Sequence, residues 1–484
     1  MLQDKDIKSV GELKKYFSDS EKMVDYLIHQ LEFFQFKSVY NLLNGIKKRG
    51  YGVSGVFSIF VILPFLRHAS IHALFKSGSR GLANGGKDVY YRFKNREDIP
   101  WRNLLMRFVT RFLRIVSSKG SEVEEGKRCL ILDDSLLPKR GRRIEKVSRL
   151  WDHVTHRSLP GLRLLLMCYY DGKSTIPVDF SLHREKGKNK KMPYGLKKKH
   201  LKEQYKKDRS KDSEGYQRAS EADESKSIMA VKMLKRAFRF LEVNYVLMDS
   251  WFTSERMIEC VRGSKKNIHL IGMMRMSKAL YEYDGWYYDA QSLLRYLKRT
   301  KKLTRCRKIN SAYIMVDVFY KDYPIRLYFS RFGKRGKWHL ILSTDRALSY
   351  VKMMELYQIR WTIEVAFKEG KQYLNLGACQ SNDFDAQIAD TTITMIQYIL
   401  LTLKKRFDDY ETRGEVFRDV GEQMCERRLH LRLWDLLVLI MKAIVETFNI
   451  NIDDIDLAIF KIINQNKFKG ILECVSLKRH PLLT

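Results

Sequence analysis

The spacing of apolar residues changes twice along this chain, and the changes divide it into blocks. Up to about residue 120 the spacing is helical, as in Met23, Val24, Leu27, Leu31 and Phe34 and again in Leu104, Leu105, Phe108, Phe112 and Ile115. This part is predicted to be helices with one buried face. The longest apolar run, Val53 to Leu66, contains Pro64 and is too short to span a bilayer, so it reads as a buried helix. From Arg128 the period shortens. Cys129-Leu-Ile-Leu-Asp-Asp134 reads as a short buried strand ending in two carboxylates. Leu162–Tyr170 and Ser174–Leu182 read as a hairpin across Asp171-Gly172-Lys173. The segment from Glu185 to Lys226 is dense in lysine and poor in apolar residues, which predicts a mobile basic loop. A helix over about 226–241, a strand Tyr245–Asp249, a helix after Ser250 and a strand near His269–Met274 follow. Between about 280 and 345, aromatic, β-branched and charged residues alternate in a β-rich block, for example Ala312–Tyr320 and Ile325–Phe329. A helix through Tyr357 comes next, and beyond about 385 the pattern is helical to the end. No internal repeat is present.

Charge narrows what such a protein can partner. Ninety Lys and Arg against 56 Asp and Glu leave a formal charge of +34. That excess repels itself in the free protein, and nucleic acid is the polyanion that ordinarily neutralises it. The cations are spread throughout rather than gathered on one amphipathic or juxtamembrane segment, which argues against a membrane-surface protein. The run Lys87–Arg96, followed by Trp101 and Arg102, interleaves aromatics with cations, Arg92 and Lys94 among them, as a helix lying on a DNA backbone does. Seven cysteines lie far apart with no Cys-x-x-Cys pair. That argues against a zinc knuckle and a disulfide framework and predicts reduced thiols in a cytoplasmic protein, and no signal peptide is visible at Met1-Leu-Gln-Asp-Lys5.

The candidate chemistry lies in carboxylates. Asp134 closes the first strand, Asp249 the next, and Glu364 stands on the later helix, with 115 residues in each interval. Strands of one sheet deliver such groups to a common edge, and hard oxygen ligands suit Mg²⁺ or Mn²⁺. Two ions held there would activate the attacking oxygen of a phosphoryl transfer and stabilise the leaving one. On an unbroken helix, Tyr357, Arg360, Glu364 and Lys371 fall within about 60° of one another. A carboxylate flanked by a phenol, a guanidinium and an ammonium suits a phosphate-facing stripe better than a core.

The spacing Tyr-x2-Arg-x3-Glu-x6-Lys, with Asp133-Asp134-Ser135, Asp249-Ser-Trp-Phe252, Asp152-His-Val and Gly161, resembles the DDE transposases of bacterial insertion sequences, in the group named for insertion sequence four. The likeness spans about residues 85–400. It implies an α/β, ribonuclease-H-like mixed sheet with flanking helices, interrupted by a β-rich insertion domain. The expected domains are a helical DNA-binding region over 1–120, a catalytic core over 121–280 and 346–405, an insertion over 281–345, and a helical C-terminal region over 406–484 that could dimerise. Asp134, Asp249 and Glu364 would bind two Mg²⁺ ions, with Mn²⁺ as a substitute. Asp133 and Asp134 point to opposite sides of a strand, so one of them can be the ligand; Asp134 is preferred because the family's aspartate precedes Ser or Thr. Tyr357, Arg360 and Lys371 would contact DNA backbone, and Trp286, Trp251 and Tyr287 are candidates to stack on a flipped base. The partners implied are double-stranded DNA, as terminal inverted repeats and as target, and a second copy of the chain in a synaptic homodimer. A bacterial cytoplasmic location, nucleoid-associated when DNA is bound, goes with this.

Other features weigh less. Asp152-His153-Val-Thr-His156 lacks a third ligand at metal spacing and reads as hydrogen-bonded structure or a DNA contact. Lys186–Lys211, if bound to DNA, would grip phosphates without reading bases. Leu429–Phe448 reads as core or a dimer face. The alternative function is a non-catalytic, transposase-derived DNA-binding protein, but all three carboxylates and their basic and phenolic neighbours are present, which favours an active enzyme.

Overall fold

The helical spacing of the first block becomes α1 (Lys37–Ile46), α2 (Val53–Ile62), α3 (Ile71–Lys76), α4 (Lys87–Lys94) and α5 (Trp101–Ser118). The computed structural model describes residues 37–422 apart from positions 48, 78, 121–125, 153–154, 188, 265, 301–302, 334 and 409. The chain divides into two compact units, residues 24–419 and residues 1–23 with 420–484, and the fold is that of the first. The helices expected around Met23–Phe34 and Leu429–Phe448, and His153, lie outside the described residues. In α2 every residue but Ser54 is buried, as the apolar run requires. Among the described residues no helix is long and apolar enough to cross a membrane, and no cysteine is in a disulfide.

One large mixed sheet follows. Its strands are β1 (Cys129–Pro138), β2 (Ser148–Asp152), β3 (Arg157–Tyr170), β4 (Thr175–His183), β5 (Tyr245–Met248), β6 (His269–Met274), β7 (Leu280–Tyr283), β8 (Trp286–Asp289), β9 (Thr304–Cys306), β10 (Ser311–Tyr320), β11 (Tyr323–Phe332) and β12 (Trp338–Ser343). The order is β2-β3-β1-β5-β6-β12-β11-β10-β7-β8, with β4 on β3 and β9 on β10. β1 is antiparallel to β3 and parallel to β5, and β5 is parallel to β6. Cys129 to Leu132 are fully buried, as parallel strands covered on both faces are. The expected hairpin is present: Asp171 N–H donates to the Ser174 carbonyl at 3.1 Å, and Gly172 takes the φ of +101° that the turn needs.

Two expectations are corrected, the end of β1 and the looseness of the Lys-rich segment. β1 does not end at Asp134 but continues to Pro138, because β3 pairs with it along its whole length while β5 stops opposite Leu132. The β-rich block is continuous with the rest of the sheet. β12 pairs antiparallel with β6, so its strands extend the sheet that begins at β2. The Lys-rich segment is also more ordered than its composition suggests. It contains a 3-10 turn, α6 (Lys198–Lys202) and α7 (Glu214–Glu221), and it leads into α8 (Lys226–Phe240), capped by the Ser225 hydroxyl.

What pins that segment is a buried ion network. The Arg209 guanidinium donates to both Glu145 oxygens at 2.8 and 2.7 Å and to Asp385 at 3.1 Å, while Lys207 donates to Asp385 at 2.6 Å. Asp385 lies in the first turn of α13 (Phe384–Phe407), whose N-cap is Asp383. α9 (Glu255–Arg262), α10 (Ala290–Thr300), α11 (Tyr350–Tyr357) and α12 (Trp361–Tyr373) complete the described helices. α13 is buried on nearly all sides among β4, α2, α5 and α12, so its N-terminus is the anchor to which the basic segment is tied. Side chains of Arg209, Glu145 and Asp385 are 3%, 9% and 2% exposed. Replacing Arg209 with Met would leave Glu145 buried without a counter-charge and Asp385 with Lys207 alone, at a cost of about 3–5 kcal/mol. Urea unfolding of Arg209→Met should therefore show a clearly lowered midpoint. An unchanged midpoint would mean that the network does not hold the segment.

Candidate active site

β1 and β5 run parallel in the register Leu132↔Met248. Paired residues of parallel neighbours share a face, so the next pair, Asp133 and Asp249, stands on one face and Asp134 on the other. The contacts agree. Asp133 Oδ2 lies 3.3 Å from Arg360 Nη1 and is close enough to Asp249 for the two charges to repel. Asp134 faces Lys226, which is ion-paired to it and also lies 3.2 Å from Glu185, with Arg163 4.0 Å away. The structure thus brings Asp133, and not Asp134, to Asp249 and the Glu364 helix. The alternation of the strand decides it, whereas the residue that follows each aspartate does not.

Asp249 begins a tight turn after β5. Its Oδ1 accepts the N–H groups of Trp251 at 2.9 Å and Phe252 at 3.3 Å, and its carbonyl accepts the Thr253 hydroxyl at 2.8 Å. Thr253 lies against Gly272, whose Cα is paired with Met248. A Cβ at Gly272 would fall 2.8 Å from Thr253 Cγ2 and closer still to its hydroxyl. Only glycine lets this turn close over the neighbouring strand.

The helix bearing Glu364 is not continuous. α11 ends at Tyr357, Gln358–Arg360 form a 3-10 turn, and α12 starts at Trp361. All four stripe residues still turn toward the ends of β1 and β5. The Tyr357 hydroxyl donates to the Met248 carbonyl at 3.4 Å, Arg360 Nη2 to Glu364 Oε1 at 2.9 Å, and Lys371 Nζ to Ser135 Oγ at 2.8 Å. Tyr357 is buried, and burial pushes its phenol up to about 12. Its hydroxyl braces the backbone next to Asp249. Arg360 is also buried, bridges Asp133 and Glu364, and has an Nε with no acceptor. Lys371 is exposed.

Burial, reinforced by the charge of Asp249, pushes the Asp133 carboxyl up to about 7, although the Asp134 N–H and Arg360 act the other way. Two carboxylates placed side by side with one guanidinium between Asp133 and Glu364 are a hard-oxygen donor set whose chemistry fits a divalent cation. As arranged, however, no three His, Cys, Asp or Glu among the described residues form a group able to hold a metal ion. Glu364 is drawn to Arg360, so the set is open at its third member.

The remaining candidates separate. Lys94 is turned inward, 2.5 Å from Asp390 and over the Phe60 ring. Arg92, on the outer side of α4, is exposed, with its Nε 3.3 Å from the Asp88 carbonyl. Trp286 is 71% and Tyr287 67% exposed beside the Asp284–Gly285 turn of β7–β8, in which both residues have positive φ. Trp251 is half exposed, with the Lys226 ammonium 4.0 Å over its ring. Lys226, Glu185 and Arg163 were not singled out in the sequence. The Ser225 cap preceding Lys226 was the available signal for the start of its helix.

Residues 76–292 match the family model described as DDE superfamily endonuclease. The matched stretch includes Asp133 and Asp249 and ends before the helix of Glu364. A comparison with curated proteins finds no match. Among solved structures, a piggyBac transposase synaptic complex with hairpin DNA, determined by cryo-EM, is similar at 15% identity over 80% of this chain and 73% of that one, with a TM-score of 0.38.

The raised Asp133 carboxyl has a consequence for stability. Its folded-state value lies above the ordinary 3.8, so the native protein holds this proton more tightly than the unfolded chain does. The favourable contribution is full below about pH 4 and is lost as pH rises toward 7, by up to about 4 kcal/mol. In metal-free buffer, Asp133→Asn should therefore gain thermal stability relative to the unmodified protein between pH 4 and 8. A difference that stays flat with pH would show that Asp133 does not titrate in this range.

Proposed function

We propose that the chain is a DNA transposase that cuts at the ends of an insertion sequence and joins the freed 3′-hydroxyl ends to target DNA. The observation that carries this reading is the juxtaposition of Asp133 on β1 with Asp249 just past the end of the parallel strand β5, faced by Arg360 and Glu364, in a chain whose residues 76–292 match a DDE superfamily endonuclease model. The catalytic set is revised to Asp133, Asp249 and Glu364. The mixed sheet from β4 through β6 would be the ribonuclease-H-like core, with residues 281–345 as its β-rich extension.

Asp133, Asp249 and Glu364 would hold Mg²⁺, or Mn²⁺ in its place. Bound there in two copies, the metal supplies activation of the attacking oxygen and neutralisation of the leaving one. The chain's own residues supply position. Arg360, with its buried Nε lacking an acceptor, is placed to receive a phosphate oxygen, and in doing so it would release Glu364 to join the other carboxylates. Lys371, steadied by Ser135, offers an exposed ammonium to the adjoining backbone. Tyr357 fixes the strand end from which Asp249 projects. Asp134, held by Lys226 and Arg163, keeps the opposite face of β1 in place. Arg92 and the exposed Trp286 would meet DNA away from the centre. The working assembly would be a homodimer across two element ends, with double-stranded DNA as substrate and target.

The test is Mg²⁺-dependent nicking of a duplex carrying the inverted repeats that flank the gene. Asp133→Asn and Glu364→Gln should each lower the rate on the order of a thousandfold or more while retaining binding, and Asp134→Asn should stay within about tenfold. Loss in Asp134→Asn with full activity in Asp133→Asn would reverse the ligand assignment. Binding without cleavage by any form would point to the non-catalytic derivative.

A further inference from the structure

The outer stripe of α8 carries cations of two kinds. Ile228, Lys232, Lys235 and Arg239 recur at helical spacing and are exposed. Lys232 is paired with both oxygens of Glu224, at 2.6 and 2.8 Å. Arg236, one step round the helix, is locked onto Asp179 at 2.6 Å. Lys235 and Arg239 have no such partner among the described residues, and neither has Arg256 on α9, which is also exposed. These three border a groove of about 910 Å³ between α8 and α9. Among the described residues its lining carries five cations against one carboxylate, Glu259, and its floor includes the buried Phe238 and Cys260.

Three unpaired cations converging on one groove repel one another unless an anion lies among them. Single ions would satisfy one or two of them. A chain of regularly spaced phosphates satisfies all three, and the apolar floor accommodates sugar edges. Continuity points the same way. The first residue of α8 is Lys226, whose ammonium lies 4.0 Å over the ring of Trp251 in the turn that begins at Asp249. From there to Arg239 the helix rises about 20 Å, the length of roughly six base pairs.

We propose that the α8–α9 groove binds the sugar-phosphate backbone of the duplex that continues from the DNA held at the active site. This rests on the transposase reading and adds a second, sequence-independent contact surface to it. The groove positions DNA and does not take part in the chemistry.

The test combines Lys235→Ala, Arg239→Ala and Arg256→Ala in the full chain and measures fluorescence-anisotropy binding to a random 30-base-pair duplex at a series of salt concentrations. Neutralised phosphates set the salt slope, so the slope should fall by roughly 2–3, with affinity at about 0.1 M salt down about tenfold or more. Mg²⁺-dependent nicking of a terminal-repeat duplex at saturating protein should be retained, which shows that the variant is folded. An unchanged slope in a variant that still nicks overturns the groove while leaving the transposase reading intact. If wild type binds a poly-glutamate peptide and the triple variant does not, with equal DNA slopes for both, the partner is an acidic polypeptide and the proposal fails. Wild-type protein that neither nicks nor binds DNA removes the transposase reading itself.

Discussion

Like charges on neighbouring strands repel, and this fold sets Asp133 and Asp249 side by side. The parallel register of β1 and β5 leads to it, because Leu132 pairs with Met248 and each aspartate is the next residue of its chain. The cost shows in the Asp133 carboxyl, pushed up to about 7 by burial and by its neighbour. Much of the surrounding architecture serves to keep that arrangement in place. Gly272 lets the Asp249 turn close, Tyr357 ties the end of β5 to α11, and Arg360 bridges Asp133 to Glu364. A site of this kind stores repulsion that a divalent cation relieves, which is one reason hard-oxygen centres can be weak points of the metal-free protein.

The same division of labour governs the cations. With a formal charge of +34, the chain needs most of its buried positive groups matched. Arg209 is matched by Glu145 and Asp385, Arg102 and Arg236 by Asp179, Arg406 by Asp171, and Lys94 by Asp390. These pairs contribute order rather than a large net stability, since desolvation offsets most of the attraction. Their effect is geometric: the segment most suited by composition to be loose is clamped to the N-terminus of α13.

The secondary structure was legible where periodicity was strong. The helices before residue 120, the hairpin across Asp171–Lys173 and the strands of Asp133 and Asp249 follow from spacing alone. Pairing was not legible. Nothing in the β-rich block announces that β12 will join β6, because alternation reports a strand's faces and not its neighbours. Ion-pair partners were hidden for a similar reason. Arg92 and Lys94 look alike in sequence, yet Lys94 meets Asp390, 296 residues away, while Arg92 stays outside. Local composition also misled at Lys186–Lys211, where a single buried arginine outweighs the surrounding lysines.

The aspartate pair shows how a resemblance and a geometry can compete. A motif locates a neighbourhood, and by motif the residue before serine is favoured. A strand resolves single residues, because its side chains alternate and a step of one moves a group to the opposite face. In the structure, the register that pairs Cys129 with Tyr245 and Leu132 with Met248 sets Asp133 next to Asp249. The contacts of Asp134 with Lys226 and Arg163 then supply the independent half of the argument. A carboxylate already satisfied by two cations on the far face is poorly placed to share a metal ion with Asp249, whereas Asp133 has Asp249 as its neighbour and Arg360 as its counter-charge.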